Sequence, residues 1–270
     1  MFDSWVFNLC MFYMFVVMYF EFYKLAAKNV QNDSAGMVAL QIVAGLGILV
    51  LVPFFPITWP NEWYILGLLV LASVFYAIND RLQFTARKNL PVSSVSIILQ
   101  LSTVFVIIYG LLLFNDTFSV LKILGAALIL FANSMILYRS KKGRTKINKY
   151  ALIAVAASFF AATALVTDIG IIKNFNLPIY ISITLIVPAL IIAIFGRVTP
   201  KKTYVEFCRS PLLFLAAGLT WMLSIFFALR ALTLGEVGPT ATLMAVAVIF
   251  QVIAAYVFLG ERDRIGKKLL

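Results

Sequence analysis

The chain has 270 residues, of which 63% are hydrophobic and only 12% are charged, and its net charge is +11. Soluble domains are nearer half apolar and a quarter charged, so this composition excludes a soluble enzyme or a soluble binding domain. A basic soluble chain suggests nucleic acid as a partner. Here Lys and Arg stand in short segments between long apolar runs, which excludes nucleic acid and indicates a protein embedded in the lipid bilayer.

Nine apolar runs predict nine transmembrane helices, because each run is long enough to cross the hydrocarbon core. The runs are continuous and lack the two-residue alternation of an outer-membrane barrel, so helices are the expected form. In chain order the predicted spans are 5–23, 36–55, 63–82, 92–114, 118–138, 150–172, 178–195, 211–232 and 237–259.

The basic residues are divided unevenly between the two sides of these spans. Nineteen of the 22 Lys and Arg residues lie in the segments after spans 1, 3, 5 and 7 and in the tail after span 9. Cytoplasmic segments carry the excess of basic residues. The sequence therefore predicts a multi-pass protein of the cytoplasmic membrane, with its N-terminus outside and the basic segment 141–149 in the cytoplasm.

The two halves of the chain resemble each other at a shift of 145 residues. This shift relates Phe105 to Phe250, and it relates Asp116, which closes span 4, to Glu261, which closes span 9. A repeat with an odd number of helices is inverted in its second copy. We therefore expect two inverted five-helix repeats.

The predicted fold class is an all-α membrane protein divided into a first repeat, 1–140, and a second repeat, 150–270. The second repeat contains only four spans, so about nine of ten transmembrane helices are expected and the tenth is missing. A face left open by a missing tenth helix would bind lipid or a second copy of the chain, which makes a homodimer compatible with the sequence.

Short motifs in both halves point to one family. The first half carries Leu-Pro-Val at 90–92, Phe-Asn-Asp at 114–116 and Leu-Gly-Ala-Ala at 124–127. The second half carries Ala-Leu-Arg-Ala at 228–231 and Phe-Leu-Gly-Glu-Arg at 258–262. These stretches resemble the repeat of the EamA-type drug/metabolite transporters. The resemblance implies two inverted bundles around a central cavity lined mainly by spans 1, 3, 4, 6, 8 and 9, and export of small metabolites or drugs.

Two carboxylates inside the spans require an explanation, because a charge at mid-membrane costs about 2.5–3.5 kcal/mol on insertion scales. Glu21 and Asp168 occupy similar places in the two halves. One interpretation is that they bind a proton or a cation along the substrate path. The alternative is that they are interfacial residues paired with Lys24 and Lys173, respectively.

Amide and hydroxyl side chains within the spans are further candidates for the substrate path, because such groups are unfavourable against lipid. The alternative is that they form hydrogen bonds between helices. The candidates are Asn79 and Gln83 in span 3, Gln100 and Thr103 on one face of span 4, and Gln251 in span 9.

Trp221, in the middle of span 8, is either a stacking wall for a substrate or a bulky packing residue. Asp80 and Arg81 are expected to form a solvated end of span 3, where long charged side chains reach the water.

Several chemistries have no sequence support. The chain has no histidine, no metal-binding carboxylate cluster, no Walker A motif and no nucleophile motif, so we expect no enzyme, no metal site and no cofactor. The predicted function is a secondary transporter that exports a small molecule by alternating access. The alternative is a membrane scaffold or a membrane enzyme that transports nothing.

Overall fold

The computed structural model describes residues 4–113, 124–125, 127–128, 131, 140–141, 144–145, 149–234, 240 and 243–258. Most of the predicted span 118–138 lies outside these residues, as do Asp116 and Glu261. The nine-helix count, the inverted repeat and the division at 141–149 therefore stay predictions.

The described chain is almost entirely helical. Its helices are α1 (Trp5–Lys28), α2 (Asp33–Gly47), α3 (Trp63–Asn89), α4 (Val92–Leu99), α5 (Leu101–Leu113), α6 (Lys149–Ile169), α7 (Leu177–Phe195), α8 (Pro200–Cys208), α9 (Pro211–Leu234) and α10 (Ala247–Phe258). Two 3-10 segments, Ile48–Phe54 and Ile172–Asn174, follow α2 and α6. Two short strands, β1 (Ser140–Lys141) and β2 (Arg144–Thr145), pair antiparallel.

Within the described residues, seven helical stretches are long and apolar enough to cross a membrane. They are Trp5–Lys28, Asp33–Phe54, Trp63–Asn89, Val92–Tyr109, Lys149–Asp168, Leu177–Phe195 and Pro211–Leu234. They correspond to the predicted spans 1–4 and 6–8, while the stretch Leu243–Phe258 in the predicted span 9 is shorter. The chain is thus a multi-pass integral membrane protein.

The helices begin where the sequence supplies side-chain caps. Asn32 accepts a hydrogen bond from the backbone N–H of Ala35 at 3.0 Å, and Asn176 accepts one from Ile179 at 3.1 Å. Asparagine is favoured at this position because its side chain satisfies a backbone donor that the first helical turn leaves open. Pro178 lies in the first turn of α7, where the missing N–H costs little.

Helix α3 is longer than the sequence predicted. It continues to Asn89, two turns beyond the expected end at residue 82, and stops just before Leu90-Pro91, because the residue preceding a proline disfavours helical geometry. Asp33 at the start of α2 holds this extension through an ion pair with Lys88 at 2.7 Å. The expectation that Asp80 lies at a solvated end is wrong, because Asp80 is only 7% exposed.

The three helix pairs with the most extensive packing are α1 against α9, α3 against α6, and α2 against α7. The last pair is joined along its length by hydrogen bonds. Ser182 Oγ donates to the carbonyl of Gly45 at 2.8 Å. At one end of α7, Asn176 Nδ2 donates to the carbonyl of Pro56 at 2.8 Å, and its backbone N–H donates to that of Thr58 at 3.1 Å.

The short helix α8 lies at the other end of the α2–α7 pair and is bonded to the segment before α2. Glu206 is buried, and its carboxylate accepts hydrogen bonds from the backbone N–H groups of Gln31 and Asn32 at 3.1 and 3.0 Å. Arg209 pairs with the same carboxylate at 3.0 Å. The connection between α1 and α2 is therefore fixed to the segment that follows α7.

Gly218 marks a close approach between α9 and α2, and it provides a stability test. A Cβ atom at this position would lie 2.5 Å from Val43 Cγ1 and 2.9 Å from Val43 Cβ. We expect Gly218→Ala to lower the free energy of unfolding by about 2 kcal/mol through overpacking. The matched variant Gly67→Ala meets no atom within 4 Å and should stabilise α3 by up to about 1 kcal/mol. Unfolding in mixed micelles measures both, and equal effects would contradict the packing argument.

Candidate functional site

A cavity of about 460 Å³ lies at the centre of the bundle. It is bounded by α1, α3, α5, α6, α7 and α9 and by Met244 and Ala245 of the predicted span 9. All six spans that the resemblance implied therefore contribute to the lining, and the predicted span 7, which is α7, is added to them. Its polar and aromatic lining residues are Tyr19, Tyr76, Asn79, Asp80, Gln83, Arg87, Gln100, Ser102, Thr103, Asp168, Tyr180, Thr184 and Trp221. A cavity of this size fits a small organic molecule.

One face of α3 carries a chain of polar side chains along the cavity. Asn79 Nδ2 donates to Asp80 Oδ1 at 2.8 Å, and Gln83 Nε2 donates to Asn79 Oδ1 at 2.9 Å. Arg87 continues the chain, because its Nη2 donates to Gln83 Oε1 at 2.6 Å. Positions three, four and seven apart share one helical face, and the extension of α3 brings Gln83 and Arg87 onto the same face as Asp80.

Asp80 is bound from a second helix as well. Gln41 of α2 donates from Nε2 to Asp80 Oδ2 at 2.8 Å. Both carboxylate oxygens thus accept hydrogen bonds from amides. The guanidinium of Arg87, two turns further along α3, acts electrostatically on this carboxylate. A buried carboxylate with these partners is satisfied within the protein.

Arg87 is held by aromatic rings from α1. Its guanidinium carbon lies 3.8 Å from the ring centroid of Phe20, 4.8 Å from that of Tyr23 and 5.1 Å from that of Tyr19. The residue is only 5% exposed. Cation–π contacts strengthen when the cation is removed from water, so these rings stabilise a buried positive charge at this end of the cavity.

Lys24 of α1 caps the C-terminal end of α3. Its Nζ donates to the carbonyl oxygens of Arg87 and Leu90, both at 2.6 Å, and of Lys88 at 3.1 Å. A cation at this position satisfies the open carbonyls of the last helical turn and interacts favourably with the helix dipole. These bonds fix the position of α3 relative to α1.

Asp168 lies at the end of α6 and is only 3% exposed. The Tyr76 hydroxyl donates to Asp168 Oδ2 at 2.5 Å, and the Tyr180 hydroxyl lies close to the same carboxyl group. In the part of the chain that the structure describes, Oδ1 has no hydrogen-bond partner and Asp168 forms no ion pair with Lys173 or any other cation. The alternative pairing with Lys173 is therefore not observed.

Trp221 of α9 and Tyr19 of α1 form an aromatic wall. Their rings are stacked with centroids 5.4 Å apart and an interplanar angle of 7°. Both side chains line the cavity. The stacked pair is thus an aromatic part of the cavity wall, and the Tyr19 ring also contacts the Arg87 guanidinium.

The fourth span is interrupted at the cavity. Gln100 separates α4 from α5, and the backbone N–H groups of Gln100 and Thr103 bond three residues back instead of four. The same pair of three-residue bonds recurs 146 positions later, at Val246 and Ile249. A short 3-10 interruption within a helix is often found at a hinge, and interrupted helices are common at transport sites.

The structure brings six of the eight predicted site residues to one cavity. They are Asn79, Gln83, Gln100, Thr103, Asp168 and Trp221. Glu21 and Gln251 are also buried, but they are not among the residues that line the cavity.

Sequence reasoning missed Asp80, Arg87, Tyr19, Tyr76 and Tyr180. Asp80 and Arg87 are seven residues apart, a spacing that places both on one face of a helix that continues to Asn89. The three tyrosines could not be singled out from the sequence, because the chain has many aromatic residues. In the described ranges, no three His, Cys, Asp or Glu side chains lie close enough to hold a metal ion together.

Comparison with known proteins gives one family. Residues 3–138, which are half of the chain, match the EamA-like transporter family. No curated protein matches the chain.

Proposed function

The chain belongs to the EamA-like transporter family, and on this premise we propose that it is a secondary transporter that exports small metabolites or drugs across the cytoplasmic membrane. The observation that carries the proposal is the cavity of about 460 Å³ among the spans, with buried Asp80, Arg87 and Asp168 on its wall. Charged groups buried between spans are costly and mark substrate paths. Members of this family are transporters and not enzymes, so the membrane-enzyme alternative receives no support.

The transport mechanism that we propose is alternating access between two inverted repeats. The paired interruptions at Gln100 and Val246 support this mechanism, because their separation of 146 residues is within one residue of the shift of 145 that relates the two predicted repeats. In inverted-repeat transporters, the site lies between the repeats, and one repeat rocks against the other around it. The predicted five-helix repeats, with nine spans in the chain, fit this arrangement.

Thiol labelling from each side of the membrane tests this mechanism. In a Cys10→Ser, Cys208→Ser background, which removes both native thiols, Thr103→Cys places one thiol in the cavity. We expect a membrane-impermeant maleimide to label it in both right-side-out and inside-out vesicles, because a cycling transporter exposes its cavity to each side in turn.

Val70→Cys is the matched control, because this α3 residue is exposed on the outer surface of the bundle. It should react from neither side, since lipid covers it. Labelling of Thr103→Cys from one side only, under all conditions, would contradict alternating access and favour a scaffold that transports nothing.

A further inference from the structure

We propose that the ligand of the central cavity is a compact organic cation whose charged nitrogen binds beside Asp168. This inference rests on the proposed function, because it names the substrate class of the same site. Three observations carry it: the charge balance of the cavity wall, a buried carboxylate oxygen left without a partner, and the aromatic character of the surrounding surface.

The charge balance of the described cavity wall is negative. Asp80, Asp168 and Arg87 are its charged residues. Arg87 shares α3 and a hydrogen-bonded chain with Asp80, and two carboxylates with one guanidinium give the described wall one net negative charge. Among the described residues, the polar groups beside Asp168 are the phenol hydroxyls of Tyr76 and Tyr180. A cationic ligand would supply the positive charge that the described wall lacks.

The polar atoms without a hydrogen bond belong to residues of the cavity wall. Asp168 and Tyr180 line the cavity, and among the described residues the buried Asp168 Oδ1 and Tyr180 hydroxyl form no hydrogen bond, although the two groups lie close to each other. A buried carboxylate oxygen without a partner is unfavourable, and native proteins rarely leave one without a role. An ammonium group next to Oδ1 satisfies this oxygen by charge, and by a hydrogen bond if it carries a proton.

The lining favours an organic cation over a metal ion. Tyr76 and Tyr180 flank the carboxylate, and Leu165, Ile225 and Leu229 add apolar surface to the same cavity. Aromatic faces attract alkylammonium groups. Calcium needs six to eight oxygen ligands, and magnesium needs an octahedral set. One carboxylate with two phenols does not provide such a set.

A fluorescence assay on the full chain tests this assignment. Trp5→Phe, Trp59→Phe and Trp63→Phe together leave Trp221 as the reporter, because the chain has four tryptophans and these three are exposed. The probes share one benzyl body: benzyltrimethylammonium is the cation, phenylacetate the anion, phenylalanine the zwitterion and benzyl alcohol the neutral compound. We expect saturable quenching and a raised melting temperature with benzyltrimethylammonium in preference to the other three.

The charge dependence is tested by a matched pair of variants. Asp168→Asn should weaken benzyltrimethylammonium binding by about thirtyfold, whereas Glu62→Gln, which removes an exposed carboxylate before α3, should leave it unchanged. Preferred binding of phenylacetate or phenylalanine, or no binding of the cation, would overturn the inference. If Asp168→Asn fails to fold, the four probes on the chain with Asp168 intact still decide the ligand charge. The labelling of Thr103→Cys separately decides whether the protein transports at all.

Discussion

Arg87→Met is expected to lower the free energy of unfolding by about 3 kcal/mol, although methionine fills much of the same volume. The loss has two sources. Gln83 Oε1, which accepts from both Nε and Nη2 of Arg87, loses its donor. The rings of Tyr19, Phe20 and Tyr23 lose a desolvated cation. Unfolding by SDS titration in mixed micelles measures the change.

The control for this variant is Lys202→Met, which removes a positive charge from an exposed position in α8. Its free energy of unfolding should change by less than about 0.5 kcal/mol, as is usual for surface substitutions. A similar small effect at Arg87 would show that the contacts of its guanidinium with Gln83 and the α1 rings contribute nothing to stability.

Replacing Asp80 should produce a graded loss that depends on the substituent. Asp80→Ala removes the acceptor of both Gln41 and Asn79. Each buried amide donor left without an acceptor costs about 1–3 kcal/mol. We therefore expect this variant to be severely destabilised in the same micelle assay.

Asp80→Asn should cost only about 1 kcal/mol. The new amide can accept from Asn79 and donate to Gln41, if the Gln41 amide rotates to present Oε1, which has no hydrogen-bond partner among the described residues. Equal losses for the Ala and Asn variants would show that charge, and not hydrogen bonding, determines the stability of this cluster.

Hydropathy predicted the membrane-spanning helices well because the length of an apolar run directly reflects the thickness of the bilayer. It failed at the end of α3. Most residues from 83 to 89 are polar, and hydropathy cannot distinguish a polar helix end in water from a polar helix face that lines a cavity. Arg87 was accordingly counted among the loop residues, whereas the structure buries it inside the bundle.

The site was harder to predict than the fold because its geometry depends on tertiary contacts. Asp168 stood out as a charge within an apolar run, and Gln100 and Thr103 as polar groups on one helical face. Tyr76 and Tyr180 became recognisable only when α3, α6 and α7 were placed together. Glu21 also stood out as a charge in an apolar run, yet its position is outside the cavity lining. A charge within an apolar run therefore indicates a polar environment inside the bundle, but it does not indicate that this environment is the substrate cavity.

The bonds between α2 and α7 decide which parts of the protein can move in a transport cycle. Asn176, Ser182 and Glu206 join these helices and their connections at both ends and in the middle. Sliding one helix along the other would break these hydrogen bonds simultaneously. We therefore expect α2 and α7 to move as one unit in the proposed transport cycle.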